Sequence, residues 1–365
     1  MTKQVAFVGP LPPPVHGFSN ICAMMLDLLK ARVLVVVFDR APKVSNRFLT
    51  ILLQLAKPLL FFLVCLRRRN VILYLALSGG SGQVIDCIYI LVSKLFGRRV
   101  FIHHHSFSYI NAPSLINRCL FALIREDTHI VLSRNMGIAL TGLYDLNAAR
   151  VRVISNAAFY DTADGNVRVP NDTSAPIQIG FLSNITFEKG FVEFFGILTA
   201  LKQRGIEYRA HIAGPLSPSA RQTFDELLAT SSDVEYVGAV YGAAKAEFYQ
   251  KLDVFLFPTN YVNEAEPLVV YEAMRNAVHV IACDRGAIAE MLGNGAGLVF
   301  AREAVVESAV MHISKFSVER GALMRAQELS LQQARRIRSA ARMELENLMC
   351  FMQGKPGAEC RTGLV

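Results

Sequence analysis

The sequence has no CxxC pair and no Cys/His spacing of the kind that holds zinc. Its seven cysteines, at 22, 65, 87, 119, 283, 350 and 360, are scattered, odd in number and mostly set within apolar runs. They read as buried free thiols of a reducing compartment, not as a disulfide framework. GxGxxG is absent, which removes the dinucleotide-dehydrogenase fingerprint. GxxxxGK followed by Ser or Thr is absent too, which removes a P-loop. Charged residues make up only 19% against 52% hydrophobic, with a mean hydropathy of +0.33, the reverse of a disordered chain. The counts of 24 Gly and 14 Pro are ordinary, so collagen-like and linker-dominated chains are excluded. Met1-Thr2-Lys3-Gln4 runs straight into an apolar run without a signal-peptide core, so a cytoplasmic location is expected.

What is present is apolar side chain in surplus, and a lopsided charge. The 365 residues suit two domains. Residues 1–170 carry 19 Lys and Arg against 8 Asp and Glu, whereas the remainder carries 19 against 22. A basic half joined to a near-neutral half implies an anionic partner for the first half: nucleic acid, acidic lipid headgroups or a phosphate-bearing substrate. No helix-turn-helix, RNP-like or zinc signature accompanies the charge, which counts against nucleic acid.

Short apolar runs alternate with helix-period segments throughout. Val5–Val8, Val33–Phe38, Val71–Ala76, Val100–His104, His129–Leu132 and Val151–Ile154 are nearly continuous in Val, Ile, Leu and Phe, as buried parallel strands are. Ser19–Lys30 and Val84–Phe96 are among the helices between them. At Gly165–Pro176 the periodicity stops and turn formers take over, the composition of a linker. It restarts with strands expected at Ile177–Leu182, Ala210–Ala213, Val234–Val237, Val254–Phe257, Val278–Ala282 and Gly297–Phe300. The pattern gives an α/β protein of two Rossmann-like, doubly wound parallel-sheet units in tandem, over 1–170 and 171–330. Ligands bind such sheets beyond the carboxyl ends of the strands, so a cleft between the units is expected. A last helix, Leu331–Phe351, follows the second unit and is expected to pack back, over 331–353, on the first; the tail from Gln353 is expected to fray.

Phe48–Leu66, followed by Arg67-Arg68-Arg69, approaches the length of about 20 apolar residues that a membrane span requires. Gln54, Lys57 and Pro58 interrupt it. It reads as a core helix pair broken at Pro58 or as an interfacial helix with basic flanks; a span would remove a crossover the strand pattern needs.

Three loops carry candidate chemistry. The first strand ends in Gly9-Pro10-Leu11-Pro12-Pro13-Pro14-Val15-His16-Gly17, a stiff loop whose Gly17 lets backbone N–H groups approach an anion; a rigid turn is the bland alternative. Phe181-Leu182-Ser183-Asn184-Ile185-Thr186-Phe187-Glu188-Lys189-Gly190 repeats this at the second unit. Lys189 at a helix start is unfavourable for the dipole unless an anion compensates, so it is a phosphate ligand or a solvated surface lysine. Phe257-Pro258-Thr259-Asn260-Tyr261-Val262-Asn263-Glu264 leads to a helix starting near Pro267, with Glu264 at its mouth and Glu272 about two turns inside. Such a helix start suits a leaving diphosphate, and the carboxylates suit sugar hydroxyls, although two glutamates eight apart also occur by chance.

These segments together resemble the retaining nucleotide-sugar glycosyltransferases of the GT-B fold, the family 4 or group 1 type. Glu264 to Glu272, an E-x7-E motif, carries the resemblance most strongly. Gly17, Lys189-Gly190, Ala213-Gly214-Pro215, Val237-Gly238 and the stretch from Gly286 to Glu290 support it, over nearly the whole chain. The resemblance implies that Glu272 holds the ribose and Glu264 the donor sugar. Lys189, the backbone after Gly17, and the helix start at Pro267 and Leu268 would hold the diphosphate, while Val237 and Gly238 would pack on the base. It also places a His at the end of the fourth strand beside the reacting sugar. In a strand His103 and His105 share a face and His104 takes the other, so His105 is the candidate, with His103 behind it. Adjacent histidines cannot converge on one ion and no DxD motif is present, so neither metal nor cofactor is expected.

Three departures stand out: Asn184 occupies the place of a usual Arg, removing one cation from the leaving group, Glu266 stands where an apolar residue is common, and Asn276-Ala277 replaces a more usual small-Gly pair, a variation in packing. The implied activity is metal-independent transfer of a sugar, with retention, from a nucleoside diphosphate sugar to a glycan or lipid-linked acceptor. Its setting would be bacterial cell-surface polysaccharide synthesis, lipopolysaccharide included, at the inner face of the cytoplasmic membrane. The alternative, motivated by Asn184, is a catalytically weak nucleotide-sugar-binding protein.

Overall fold

The apolar runs become parallel strands flanked by helices. The computed structural model describes residues 4–41, 47–161 and 175–354. The chain divides into two units, Met1–Tyr160 with Ser339–Val365, and Asp161–Arg338. Residues 165–174 of the expected linker, and the tail beyond 354, lie outside the described residues.

In the first unit the strands are β1 (Gln4–Gly9), β2 (Leu34–Asp39), β3 (Val71–Leu77), β4 (Val100–His104), β5 (Thr128–Val131) and β6 (Val151–Val153). They form one sheet in the order β2-β1-β3-β4-β5-β6, with every pair parallel. In the second unit they are β7 (Ile177–Leu182), β8 (Tyr208–Ala213), β9 (Val234–Tyr236), β10 (Val254–Phe257), β11 (His279–Cys283) and β12 (Gly297–Phe300). Their order is β12-β11-β10-β7-β8-β9, again all parallel. The strand order reverses beside β1 in the first sheet and between β7 and β10 in the second. At such a reversal the loops on either side diverge and leave a crevice at the carboxyl ends of the strands.

The second core is built from Ile179, Phe181, Phe191, Phe194, Phe195, Phe224 and Leu256, all buried. Removing one such phenyl ring costs about 3–5 kcal/mol. The first core joins Val5, Phe7, Tyr74 and Phe101 to Leu345, Leu348 and Met352 from the far end of the chain. Arg32 grips Glu346 through paired bonds of 2.7 and 2.8 Å, which fixes that segment to its unit.

Two expectations about helices are corrected. The last helix runs Arg320–Gln353 and so starts eleven residues before Leu331. Its early turns bury polar side chains that hide the apolar period: Gln327 donates to the Asp253 carbonyl at 3.2 Å and Ser330 to the Val278 carbonyl at 2.9 Å. The Phe48–Leu66 segment is not a broken pair but one helix, Arg47–Arg67, continuous through Pro58. Proline removes one helical hydrogen bond, and packing of Phe61 on Phe38 and Tyr89 compensates. No helix among the described residues is long and apolar enough to cross a membrane. The described cysteines are free, and Cys119 is exposed, contrary to the buried reading; Cys360 lies outside the described residues.

Candidate active site

In the second unit, β7 and β10 deliver their loops to the point where the strand order reverses. After β7 the chain makes a turn, Phe187–Lys189, and enters the helix Phe191–Gln203 through Gly190 at φ +81°. Only glycine fits there, because a Cβ would lie 2.0 Å from the Pro258 carbonyl oxygen. That close approach lets the Asn260 N–H donate to the Glu188 carbonyl at 2.7 Å, tying the two loops together.

The tie brings Lys189 Nζ to 2.5 Å from Glu264 Oε2. The ammonium also lies over the rings of Tyr261 (4.8 Å) and Phe257 (5.7 Å), to which the sequence assigned no role. Glu264 is buried and Lys189 half-buried, so the pair is shielded from bulk water but still reachable. Glu264 is held from below as well. Gly286, at φ +56°, passes under the loop where a Cβ would meet the Glu264 and Ala265 carbonyl oxygens at 2.3 Å. The next N–H, of Ala287, donates to the Ala265 carbonyl at 2.7 Å.

The helix beyond is Leu268–Arg275, with Pro267 as its N-cap and no side chain capping its first turn. The N–H groups of Leu268 and Val269 therefore keep their capacity for an outside acceptor, whereas that of Val270 donates to the Pro267 carbonyl at 3.1 Å. Since the helix begins at Leu268, Glu272 stands little more than one turn inside it, not two. Its Oε2 pairs with Lys245 Nζ at 2.5 Å and lies 3.2 Å from the Tyr249 hydroxyl. Lys245 and Tyr249, on the helix Gly242–Gln250, were not foreseen. Their spacing of four, on one helix face, is the signal that was available. At the end of β9, Val237 is exposed and the Gly238 carbonyl accepts the Gly214 N–H at 2.8 Å. Asn184 is exposed on the loop after β7, whereas Glu266 is buried.

In the first unit, Gly17 opens the helix Gly17–Lys30. His16 caps it: the Ser19 N–H donates to His16 Nδ1 at 3.2 Å and the His16 N–H to the Ser19 hydroxyl at 3.0 Å. One first-turn N–H that the sequence left open to an anion is thus taken, while Gly17 and Phe18 precede it. The Phe18 ring rests on His105 at 4.5 Å, and the His103 and His105 rings are 4.0 Å apart, so the alternation along β4 holds. His103 Nδ1 shares a hydrogen bond of 2.5 Å with the Tyr74 hydroxyl. His104 faces the other way, bonded to the Tyr109 hydroxyl at 2.9 Å and to His129 at 3.0 Å. Burial keeps all these imidazoles neutral: His103 is pushed down to about 3 and His129 to about 4, and His104 and His105 also fall well below the usual value. Among the described residues no group of three His, Cys, Asp or Glu side chains could hold a metal ion.

The second unit thus sets Lys189 and Glu264 on adjoining loops, with Leu268 and Glu272 on the helix that follows, and the first gathers Gly17, His103 and His105. The sequence model of the family described as Glycosyl transferases group 1 matches residues 167–340, which include the whole second site. No curated protein matches the chain in sequence. Among solved structures, the Anabaena protein Alr3699/HepE in complex with UDP is similar with a TM-score of 0.72 at 15% identity, over 96% of this chain and 100% of that one. The lipopolysaccharide outer core galactosyltransferase WaaB aligns with a TM-score of 0.70 at 17% identity, over 95% of this chain and 99% of its own. Sucrose-phosphate synthase from Thermosynechococcus elongatus gives 0.69 at 13%, over 95% and 98%. Identities this low speak for the fold alone. The chain therefore has the two-Rossmann-unit fold of the GT-B glycosyltransferase structures, and its second unit carries the glycosyl transferases group 1 pattern.

Proposed function

We propose that the protein is a retaining glycosyltransferase, metal-independent, that moves a sugar from a nucleoside diphosphate sugar to a glycan or lipid-linked acceptor. The observation that carries this reading is the Lys189–Glu264 pair, at 2.5 Å, beside an uncapped helix start in the unit that the family pattern covers. Lys189 and the first N–H groups of Leu268–Arg275 receive the diphosphate. Glu264 takes hydroxyls of the donor sugar, Glu272 those of the ribose, and Val237 and Gly238 lie against the base. The first unit binds the acceptor, with Gly17, His103 and His105 serving the reacting end. Alr3699/HepE is described in complex with UDP and glucose, which supports a nucleotide-sugar donor.

In the transfer the bond from the anomeric carbon to the phosphate oxygen breaks and the acceptor oxygen bonds to that carbon. The nucleoside diphosphate departs with the bonding electron pair, and its leaving oxygen takes up the proton that the acceptor hydroxyl releases. Negative charge grows on the leaving phosphate, and fixed donors already aimed at it lower the barrier without reorganising. Glu264, held against an ammonium, is suited to positioning and not to the acid–base work of a glycosidase carboxylate.

The likeness to WaaB and the basic first half support a setting in bacterial cell-surface polysaccharide synthesis, at the inner face of the cytoplasmic membrane. A second reading, a nucleotide-sugar-binding protein with weak catalysis, is favoured by Asn184, an uncharged residue exposed on the loop after β7. Incubation with a panel of nucleoside diphosphate sugars and a lipid-linked glycan extract, reading released diphosphate, separates the two. Release that depends on acceptor supports the transferase. Binding without release supports the second reading, and neither binding nor release refutes both.

A further inference from the structure

The helix Arg47–Arg67 departs from the usual arrangement of a surface helix in being apolar on its outward side as well as its inward one. Its inward side carries Gln54, bonded through Nε2 to the Ala41 carbonyl at 3.4 Å, along with Phe61 and Cys65. Its outward side is leucine. Leu52, Leu55, Leu59, Leu63 and Leu66 recur at the three- and four-residue spacing of one stripe, and Leu59 and Leu66 are 63% and 62% exposed. No exposed position from 52 to 66 is charged, since Lys57 turns inward to the Asp39 carbonyl. Beside the stripe, a groove of about 670 Å³ lies between this helix and the edge strand β2, with Val36, Leu60 and Arg68 in its walls. A contiguous apolar surface of this kind marks an interaction site.

Charge identifies the occupant. The stripe ends in Arg67, Arg68 and Arg69, all exposed, within a half of the chain that has 19 basic residues against 8 acidic. A second copy docked by twofold symmetry would bring two halves of the same sign together. An anionic bilayer offers hydrocarbon for the leucines and phosphates for the arginines at the same boundary.

We propose that this helix docks flat on an anionic phospholipid bilayer, its leucine stripe reaching the acyl boundary and Arg67–Arg69 pairing with headgroups. The proposal deepens the membrane-face setting given above, and it stands apart from the transfer chemistry. It also gives a lipid-linked acceptor a path to the first unit without leaving the membrane.

The chain contains no tryptophan, so Leu63→Trp provides a unique fluorophore on the stripe. With vesicles of phosphatidylglycerol and phosphatidylcholine, its emission should shift to the blue and be quenched by brominated acyl chains. With phosphatidylcholine alone it should change little. Adding Leu59→Glu should reduce vesicle binding about tenfold or more. Arg67→Ala with Arg69→Ala should weaken binding about tenfold and flatten its salt dependence. Melting of each variant by circular dichroism controls for folding; if Leu59→Glu melts early, the Leu63→Trp spectra decide alone. An unshifted spectrum on anionic vesicles at low salt would overturn the proposal, as would a dimer in sedimentation that Leu59→Glu dissociates. No sugar nucleotide is present, so failure here leaves the transferase reading standing, and an inactive Lys189→Ala protein should still bind vesicles.

Discussion

Lys189 and Glu264 stand 75 residues apart in sequence and 2.5 Å apart in space. Neither loop alone could place them so. The contact depends on the parallel pairing of β7 with β10 and on the hydrogen bond from Asn260 to Glu188. Under the proposed function, an ammonium held in this way would meet a diphosphate without first being ordered, and that preorganisation would supply part of the rate advantage.

Lys189→Ala should therefore lower kcat about 100- to 1,000-fold, the range for losing one fixed donor to a developing anion. Glu264→Gln keeps the shape and removes the charge that orients the lysine, and should lower kcat/KM without unfolding the protein. Steady-state kinetics with the best donor checks both variants.

Lys245 was not foreseen in the sequence, and it neutralises Glu272 at 2.5 Å. Lys245→Ala removes the ammonium from a carboxylate only 12% exposed, while the Tyr249 hydroxyl stays 3.2 Å from it. The donor KM should rise about tenfold while kcat changes little, the pattern of a group that acts in binding and not in the transition state.

Gly286→Ala tests the support beneath Glu264. At φ +56° and with oxygens 2.3 Å from the new Cβ, the loop must move. A loss of about 1–3 kcal/mol in unfolding free energy is expected, together with a fall in activity larger than that instability explains at low temperature. Denaturant melts and an assay on the same sample measure the two effects.

Much of this was legible before the fold. β4, β7, β10 and β12 fall where their apolar runs end; for β10 this is because a strand buried on both faces leaves no polar residue to blur the boundary, whereas half-buried β12 is bounded by Ala296 and Ala301. Lys189 and Glu264 stood out because each lies at a strand-to-helix junction, and Glu272 because it completes the E-x7-E spacing from Glu264. Lys245 did not, because one lysine on a polar helix resembles any solvated lysine until the fold brings Glu272 beside it. Of the two readings of Phe48–Leu66, the one with a break at Pro58 fails, since the packing of Phe61 that keeps the helix whole is tertiary. The start of the last helix was missed because Gln327 and Ser330 are buried by hydrogen bonds to distant carbonyls, which no periodicity records.

The first unit should weaken in mild acid. Burial holds His103 at about 3 and His129 at about 4, against 6.5 when unfolded, so below 6.5 the unfolded chain binds more protons than the fold. Stability is full above that value and falls as pH drops toward 4. Each such imidazole contributes a slope of up to about 1.4 kcal/mol per pH unit. Thermal melts from pH 7.5 to 4.5 should show a steep decline, and His129→Phe should make it shallower; a flat profile would contradict the buried neutral state.

The most direct measurement is calorimetric titration of the protein with UDP, GDP, ADP and CDP in turn, repeated on Lys189→Ala and Glu272→Ala. The account predicts that at least one diphosphate binds the parent protein and that both variants lose about tenfold or more of that affinity. Binding of equal strength in all three proteins, or of none of the nucleotides to the parent, would contradict it.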